Sequence, residues 1–317
     1  MRKQILILTL ITVFFSCNNS SKKRVAISQI KADVTIDRFD VDFYTSDSTT
    51  LSKVKSKYPL FFPKGNHDSI WLRKIKEEKE LFIETQKKYT DIDFLKKRLE
   101  DLFKHIKYYD TTFIPPKVVT LLNSVDFENR VVYNGTFLLI SLDVFLGKEH
   151  PFYGDYPVYI KNNFTKERII VDAANSIIKQ TVRVSKNRLF LYKMIDAGKK
   201  LYLLDMYLPQ VIDEVKIGYP KEKLNWAIAN EAQIWKYFIE NKLLFSTDIK
   251  LNKRFLDLAP FSKFYRSEDN LSPGRIGTWM GWQIVRAYME NNTVSLQELV
   301  EMPAEEIFKK SLYKPKK

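Results

Sequence analysis

Glu231 is the carboxylate most out of place in this sequence. Counting in threes and fours through Leu224, Ile228, Ile234, Trp235 and Phe238 sets it on the apolar face of a helix, where an unpaired charge is costly. It therefore requires a partner or a proton. Lys263, Arg275 and Arg286 lie downstream, and a guanidinium can grip a carboxylate through two hydrogen bonds, so Glu231 with Arg275 or Arg286 is the candidate buried ion pair. The rival chemistry is general acid or base catalysis by a carboxyl whose acidity burial has adjusted. Asp269 would then be its companion in a hydrolase cleft acting on peptide or glycan. Metal chemistry finds little material, because His67, His105 and His150 fall in separate segments and no His-Glu-x-x-His occurs. No metal and no other cofactor is expected. Gly-x-Ser-x-Gly, phosphate-loop and dinucleotide glycine motifs are also missing, and nine glycines leave little from which to build them.

The elements that must position these groups follow from periodicity. Residues 36–44 alternate apolar and polar positions from Arg38 to Phe43, which predicts a short strand or extended arm. Asp68 to Tyr89 and Asp91 to Tyr108 carry apolar residues at helical spacing and predict two helices joined at Tyr89-Thr90. Pro115-Pro116 closes that region. Lys117 to Val125 and Arg130 to Phe145 predict sheet, with Asn134-Gly135 as a hairpin turn and Thr136 to Leu146 as a strand buried on both faces. Helical spacing returns over residues 166–182, 188–207 and 221–244. The last long helix is expected to begin at Ser272-Pro273-Gly274, with Gly277 and Gly281 admitting another backbone to close approach. The fold class expected is α+β, a helix-rich single domain with a small antiparallel sheet.

Cys17 is the only cysteine, so disulfides within the chain and multi-thiolate metal sites are excluded. It follows two cations, a mainly apolar run from Ile5 to Phe15, and Ser16, the order of a secretory signal with its cleavage site. The run is too short to span a bilayer as a helix. This segment resembles a bacterial lipoprotein signal, with Phe14 and Phe15 where stricter versions carry Leu and a small residue. Cleavage would leave residues 1–16 as the signal peptide, a covalent lipid on Cys17, a tether over residues 17–35 and one globular domain over residues 36–317. Several acyl chains hold far more durably than one, so the expected anchorage is to a membrane without crossing it.

The formal charge of +14 falls to +12 once Arg2 and Lys3 leave with the signal. Such a balance favours acidic surfaces, among them anionic lipid, a polymer or an acidic protein. No zinc finger, RNA-binding signature or basic heptad repeat accompanies it, and nucleic acid is not an expected partner. The cations form short dispersed runs, such as Lys96-Lys97-Arg98 and Lys199-Lys200, whose ordinary place is a solvated face.

The C-terminal third carries longer motifs. Asn230-Glu231-Ala-Gln-Ile-Trp235, Leu244-Phe-Ser-Thr-Asp248, Pro260-Phe-Ser-Lys-Phe-Tyr265, Ser272-Pro-Gly-Arg-Ile-Gly277 and Gly281-Trp-Gln-Ile-Val-Arg286-Ala-Tyr288 resemble the gliding motility lipoprotein GldB family of the Bacteroidetes. The strand Phe137 to Gly147 and the lipidation signal agree, so the resemblance spans nearly the whole chain. It implies a cell-envelope lipoprotein needed by the gliding apparatus, with other envelope proteins as partners, and it supplies no reaction. The leading expectation is a noncatalytic component acting through protein binding; the alternatives are a divergent envelope hydrolase or a binder of anionic lipid or polymer. Residues 18–24 lack the acidic run associated in that phylum with surface export, which implies a domain facing the periplasm, with the inner and outer membranes both open. The layout is also similar to putative zinc peptidases, with Asp172, Asn175 and Lys179 standing where histidines would be wanted. A glycosylation pattern of that phylum fits Ser48, Ser69 and Thr111.

Overall fold

The computed structural model describes residues 25–182 and 187–316; Cys17, the expected signal segment and the tether up to residue 24 lie outside them. Four short strands form one sheet in the order β1 (Ile36–Arg38), β2 (Lys117–Leu121), β4 (Phe137–Ser141) and β3 (Val131–Tyr133). The expected antiparallel sheet is instead mixed. β3 and β4 pair antiparallel across the Asn134-Gly135 turn, whereas β2 runs parallel to both β1 and β4. Parallel neighbours cannot be joined by a tight turn and need a long crossover, and β1 reaches β2 only through the helical stretch between them. At the turn Gly135 holds a φ of 93°, and the Asn134 Oδ1 accepts the amides of Thr136 and Phe137.

Helices pack on both faces of this sheet. Val118, Leu138 and Ile140 point into the main core, and Val119 points into a smaller apolar cluster with Phe43, Leu51 and Leu81. That second cluster belongs to α1 (Phe39–Tyr44), α2 (Leu51–Lys57), α3 (Asp68–Glu77) and α4 (Lys79–Tyr89), which precede the long α5 (Asp93–Tyr109). The alternation from Arg38 to Phe43 thus yields three residues of strand and then a helix. Its cause is Asp40, fully buried, whose carboxylate is bound by Arg38, Gln86 and Thr120 and turns the chain inward. The single helix expected over residues 68–89 breaks at Glu78, whose carboxylate is drawn out to Tyr44, Lys74 and Ser124.

The expected strand from Thr136 to Leu146 ends at Ser141 and becomes a 3-10 turn over Leu142–Phe145. The turn serves Asp143, a fully buried carboxylate that accepts the backbone amides of Asn123 and Val125. Burial pushes its pKa up from 3.8 to about 6, with those amides opposing and Glu78 adding repulsion. The folded chain therefore takes up this proton more readily than the unfolded chain. The penalty for burying the ionised group is complete above the folded value and is relieved as pH falls from there toward 3.8. Unfolding free energies at pH 5 and pH 7 should show it: the Asp143→Asn variant is expected to lose a component on the order of 1 kcal/mol that favours pH 5 in the parent. An identical pH difference in both proteins would contradict the assignment.

The C-terminal half is helical: α6 (Arg168–Thr181), α7 (Phe190–Tyr207), α8 (Asp213–Ile217), α9 (Lys221–Ala229), α10 (Glu231–Glu240), α11 (Lys250–Phe255), α12 (Ile276–Asn291), α13 (Leu296–Glu301) and α14 (Ala304–Ser311). α7 and α12 lie side by side at the centre, with α14 against both. A methyl group placed on Gly281 would overlap the Met194 carbonyl, and one placed on Gly198 would overlap the backbone of Gly281. Two glycines from different helices therefore bring the main chains into contact. Gly277 faces Phe255, Leu256 and Phe190 at the wider distances of 3.0 to 3.2 Å. The last long helix begins three residues later than expected, with Arg275 in place of Ser272 as its cap. Ser272 and Ser262 bond to each other's segments instead, and Gly274 lies against the backbone of Ala259, so residues 272–275 form a packed loop.

Candidate functional site

The helix expected over residues 221–244 is two helices, broken at Asn230. Glu231 is therefore the first residue of α10, where the free amides and helix dipole favour an anion. It is 4% exposed, and its Oε1 accepts a hydrogen bond of 2.7 Å from the hydroxyl of Tyr313. Burial and this carboxylate together push the Tyr313 pKa up. The ion pair expected with Arg275 or Arg286 is thus replaced, among the described residues, by a helix terminus and a phenol. A carboxylate at a helix start needs less compensation than one in mid-helix, which is why no guanidinium is required.

Arg286 is committed elsewhere. Its guanidinium forks onto both oxygens of Asp205 at 2.8 and 3.0 Å and both oxygens of Asp213 at 2.8 and 2.9 Å, while lying 3.8 Å from the Trp282 ring centroid. Burial works against its charge, but the two carboxylates outweigh that effect and raise its pKa. Asp205 also accepts from Lys216 Nζ and the Trp282 indole, both at 2.9 Å.

Arg275 sits at a third place, in the left-handed region with a φ of 57° at the N-cap of α12. Its guanidinium donates to the Ile217 carbonyl and lies 5.8 Å from the Tyr219 ring centroid. Burial pushes its pKa down, and the nearby Arg130 adds to that effect. Asp172, the carboxylate of this region, is already held from two sides, by Arg168 at 3.0 Å and Arg130 at 2.7 Å. Burial would raise the Asp172 pKa; the two guanidiniums outweigh it and hold the carboxyl below its ordinary range. Three buried or half-buried guanidiniums thus gather around one carboxylate.

Arg275 also stands between two hollows. One, of about 490 Å³, has Asn175, Lys193, Lys200, Asn252 and Thr278 on its walls beside the apolar Ala197, Leu201 and Leu256. The other, of about 500 Å³, is a mainly apolar cleft framed by Pro157, Pro220, Pro260 and Pro273, with Val158 and Leu258 on its walls. The sequence signal for the first hollow was present in Lys200 and Asn175, but nothing in their spacing links them to Arg275. Lys199, expected on a solvated face, is instead 4% exposed, with its ammonium on the carbonyls of Val300 and Met302 at the end of α13.

Asp269 lies in a smaller hollow with Trp226, Asn230 and Tyr237, not beside the buried Glu231 side chain. Its Oδ2 accepts the Tyr265 amide. The histidines occupy different elements: His67 precedes α3, His105 bonds the Asp101 carbonyl within α5, and His150 bonds the Phe152 amide. Among the described residues no group of three or more His, Cys, Asp or Glu side chains is placed to hold a metal ion. Of the helix compared with zinc peptidases, Asp172 is bound in the arginine cluster and Asn175 faces the hollow of about 490 Å³. That likeness finds no support in the fold. Ser48, Ser69 and Thr111 are all exposed.

No curated protein and no solved structure matches the chain. A family model does, and it covers residues 20–315, which include every element described above. The chain belongs to the gliding motility protein GldB family, and is a component related to gliding motility.

Proposed function

We propose that the chain is a lipid-anchored envelope component of the gliding machinery, held at a membrane through Cys17, facing the periplasm, and acting by binding other envelope proteins without catalysis. Family membership supports the setting. Among the described residues no helix is long and apolar enough to cross a membrane, so attachment through an acylated Cys17 is consistent with the fold. The observation that carries the binding role is the proline-framed cleft: prolines fix its walls, and Val158 and Leu258 stay 65% and 41% exposed on them. Rigid apolar walls bind an extended segment with little ordering cost. Glu231, the carboxylate most suited to catalysis, serves a contact to Tyr313 in this reading.

Complementation of a strain lacking the protein tests the whole proposal. Val158→Glu with Leu258→Glu should abolish gliding at normal protein level, because neither side chain supports the core. Glu231→Gln should preserve gliding and lower only stability, and Cys17→Ser should remove the acyl label and membrane retention. A folded Glu231→Gln protein that cannot support gliding would overturn the noncatalytic reading. Retained acylation in Cys17→Ser would overturn the anchor.

A further inference from the structure

The hollow of about 490 Å³ beside Arg275 is lined by several donors that the protein itself leaves unused. Among the described residues, the side chains of Asn175, Lys200 and Thr278 have no hydrogen-bond partner, although all three line it. Lys200 is half-buried, and burial together with the nearby Lys179 pushes its pKa down. Lys193 reaches only the Asn252 amide oxygen, at 3.2 Å. Arg275 reaches one carbonyl and no carboxylate. Asp196 offsets the burial of Lys200 only in part, and partly desolvated cations that make no salt bridge are costly. Arg275 takes up a left-handed backbone conformation at the start of the 16-residue α12, whose dipole adds positive potential at that end. Strain of this kind is tolerated where the surroundings demand a particular side-chain placement.

The geometry points to a binding site in this hollow for a phosphoryl group carried on a small polyol, such as a glycerophosphate. A phosphoryl group accepts from several donors at once, and guanidinium and ammonium groups are its ordinary partners. Lys193 and Lys200, two turns apart on α7, and Arg275 at the start of α12 all line the hollow. Two acids, Asp196 and Asp257, also line it. They would repel a second anionic group but can accept hydroxyls, which favours a polyol over a polyphosphate. The volume exceeds what one phosphate ion fills, leaving room for the polyol.

Calorimetric titration of the full-length protein decides this, using inorganic phosphate, glycerol 3-phosphate and dihexanoyl phosphatidylglycerol below its micelle concentration. Glycerol 3-phosphate or the short-chain lipid should bind about tenfold more tightly than inorganic phosphate. Lys200→Gln should weaken that binding about tenfold or more with an unchanged unfolding midpoint. Arg275→Asn, which tolerates the same backbone conformation, should weaken it in parallel. Preference for glycerol 3-phosphate identifies a soluble phosphate ester, and preference for the lipid identifies a headgroup. Absence of binding by both, or binding indifferent to Lys200→Gln, overturns the proposal.

Discussion

Replacing Gly281 by alanine is expected to destabilise the protein by about 3 kcal/mol or more, although alanine is the better helix former by about 1 kcal/mol. The added methyl meets the Met194 main chain, which cannot rotate away as a side chain would. Relief requires α7 and α12 to move apart, and that opens the packing around Met194, Ile195, Ile284 and Val285, all fully buried. Gly277→Ala is the matched control, because the same methyl at that site finds neighbours at 3.0 to 3.2 Å, two of them side-chain atoms. Its expected loss is no more than about 1 kcal/mol. Urea unfolding of the two variants measures the difference, and equal midpoints would show that the helices are not held by main-chain contact at Gly281.

Asp205→Ala should be comparably severe, with a loss of about 3 to 5 kcal/mol. The carboxylate is shared by Arg286, Lys216 and the Trp282 indole. Arg286 keeps Asp213 after the substitution, but Lys216, with a side chain only 5% exposed, is left 4.0 Å from Asp213 as its nearest anion. The cost arises from stranding a buried ammonium, not from the worth of the original pair. Asp205→Asn retains the shape and removes the charge, so it should lose most of the same stability. Because the group is enclosed, added salt should change the result little. A loss below about 1 kcal/mol in Asp205→Ala would mean that water reaches Lys216 freely.

The sequence conveyed periods more faithfully than partners. Helical spacing located α6 and α7 to within two residues, and the Asn134-Gly135 pair located the hairpin, because each depends on neighbours along the chain. The breaks at Glu78 and Asn230 were hidden, since the apolar period continues across both and the interruptions are made by side-chain bonds to distant segments. Tyr313 could not be found as the partner of Glu231 from spacing, being 82 residues away. Lys199 was misplaced for a related reason: its run with Lys200 looks solvated, yet one ammonium ends in the carbonyls of α13 and the other faces a hollow. The arginine cluster joins residues from the loop before β3, from α6 and from the start of α12. No local pattern announces such a junction.

The late position of α13, α14 and Tyr313 bears on the order in which the molecule can assemble. Lys199 in α7 finds its carbonyls only at Val300 and Met302, Glu231 finds its hydroxyl only at Tyr313, and α14 covers α7 and α12 together. Until residues 296–313 have emerged, the central helix lacks these carbonyls for Lys199 and keeps an open apolar flank. Packing these groups away before then would bury them without their compensation, so the last contacts around α7 and α12 require the C-terminal residues.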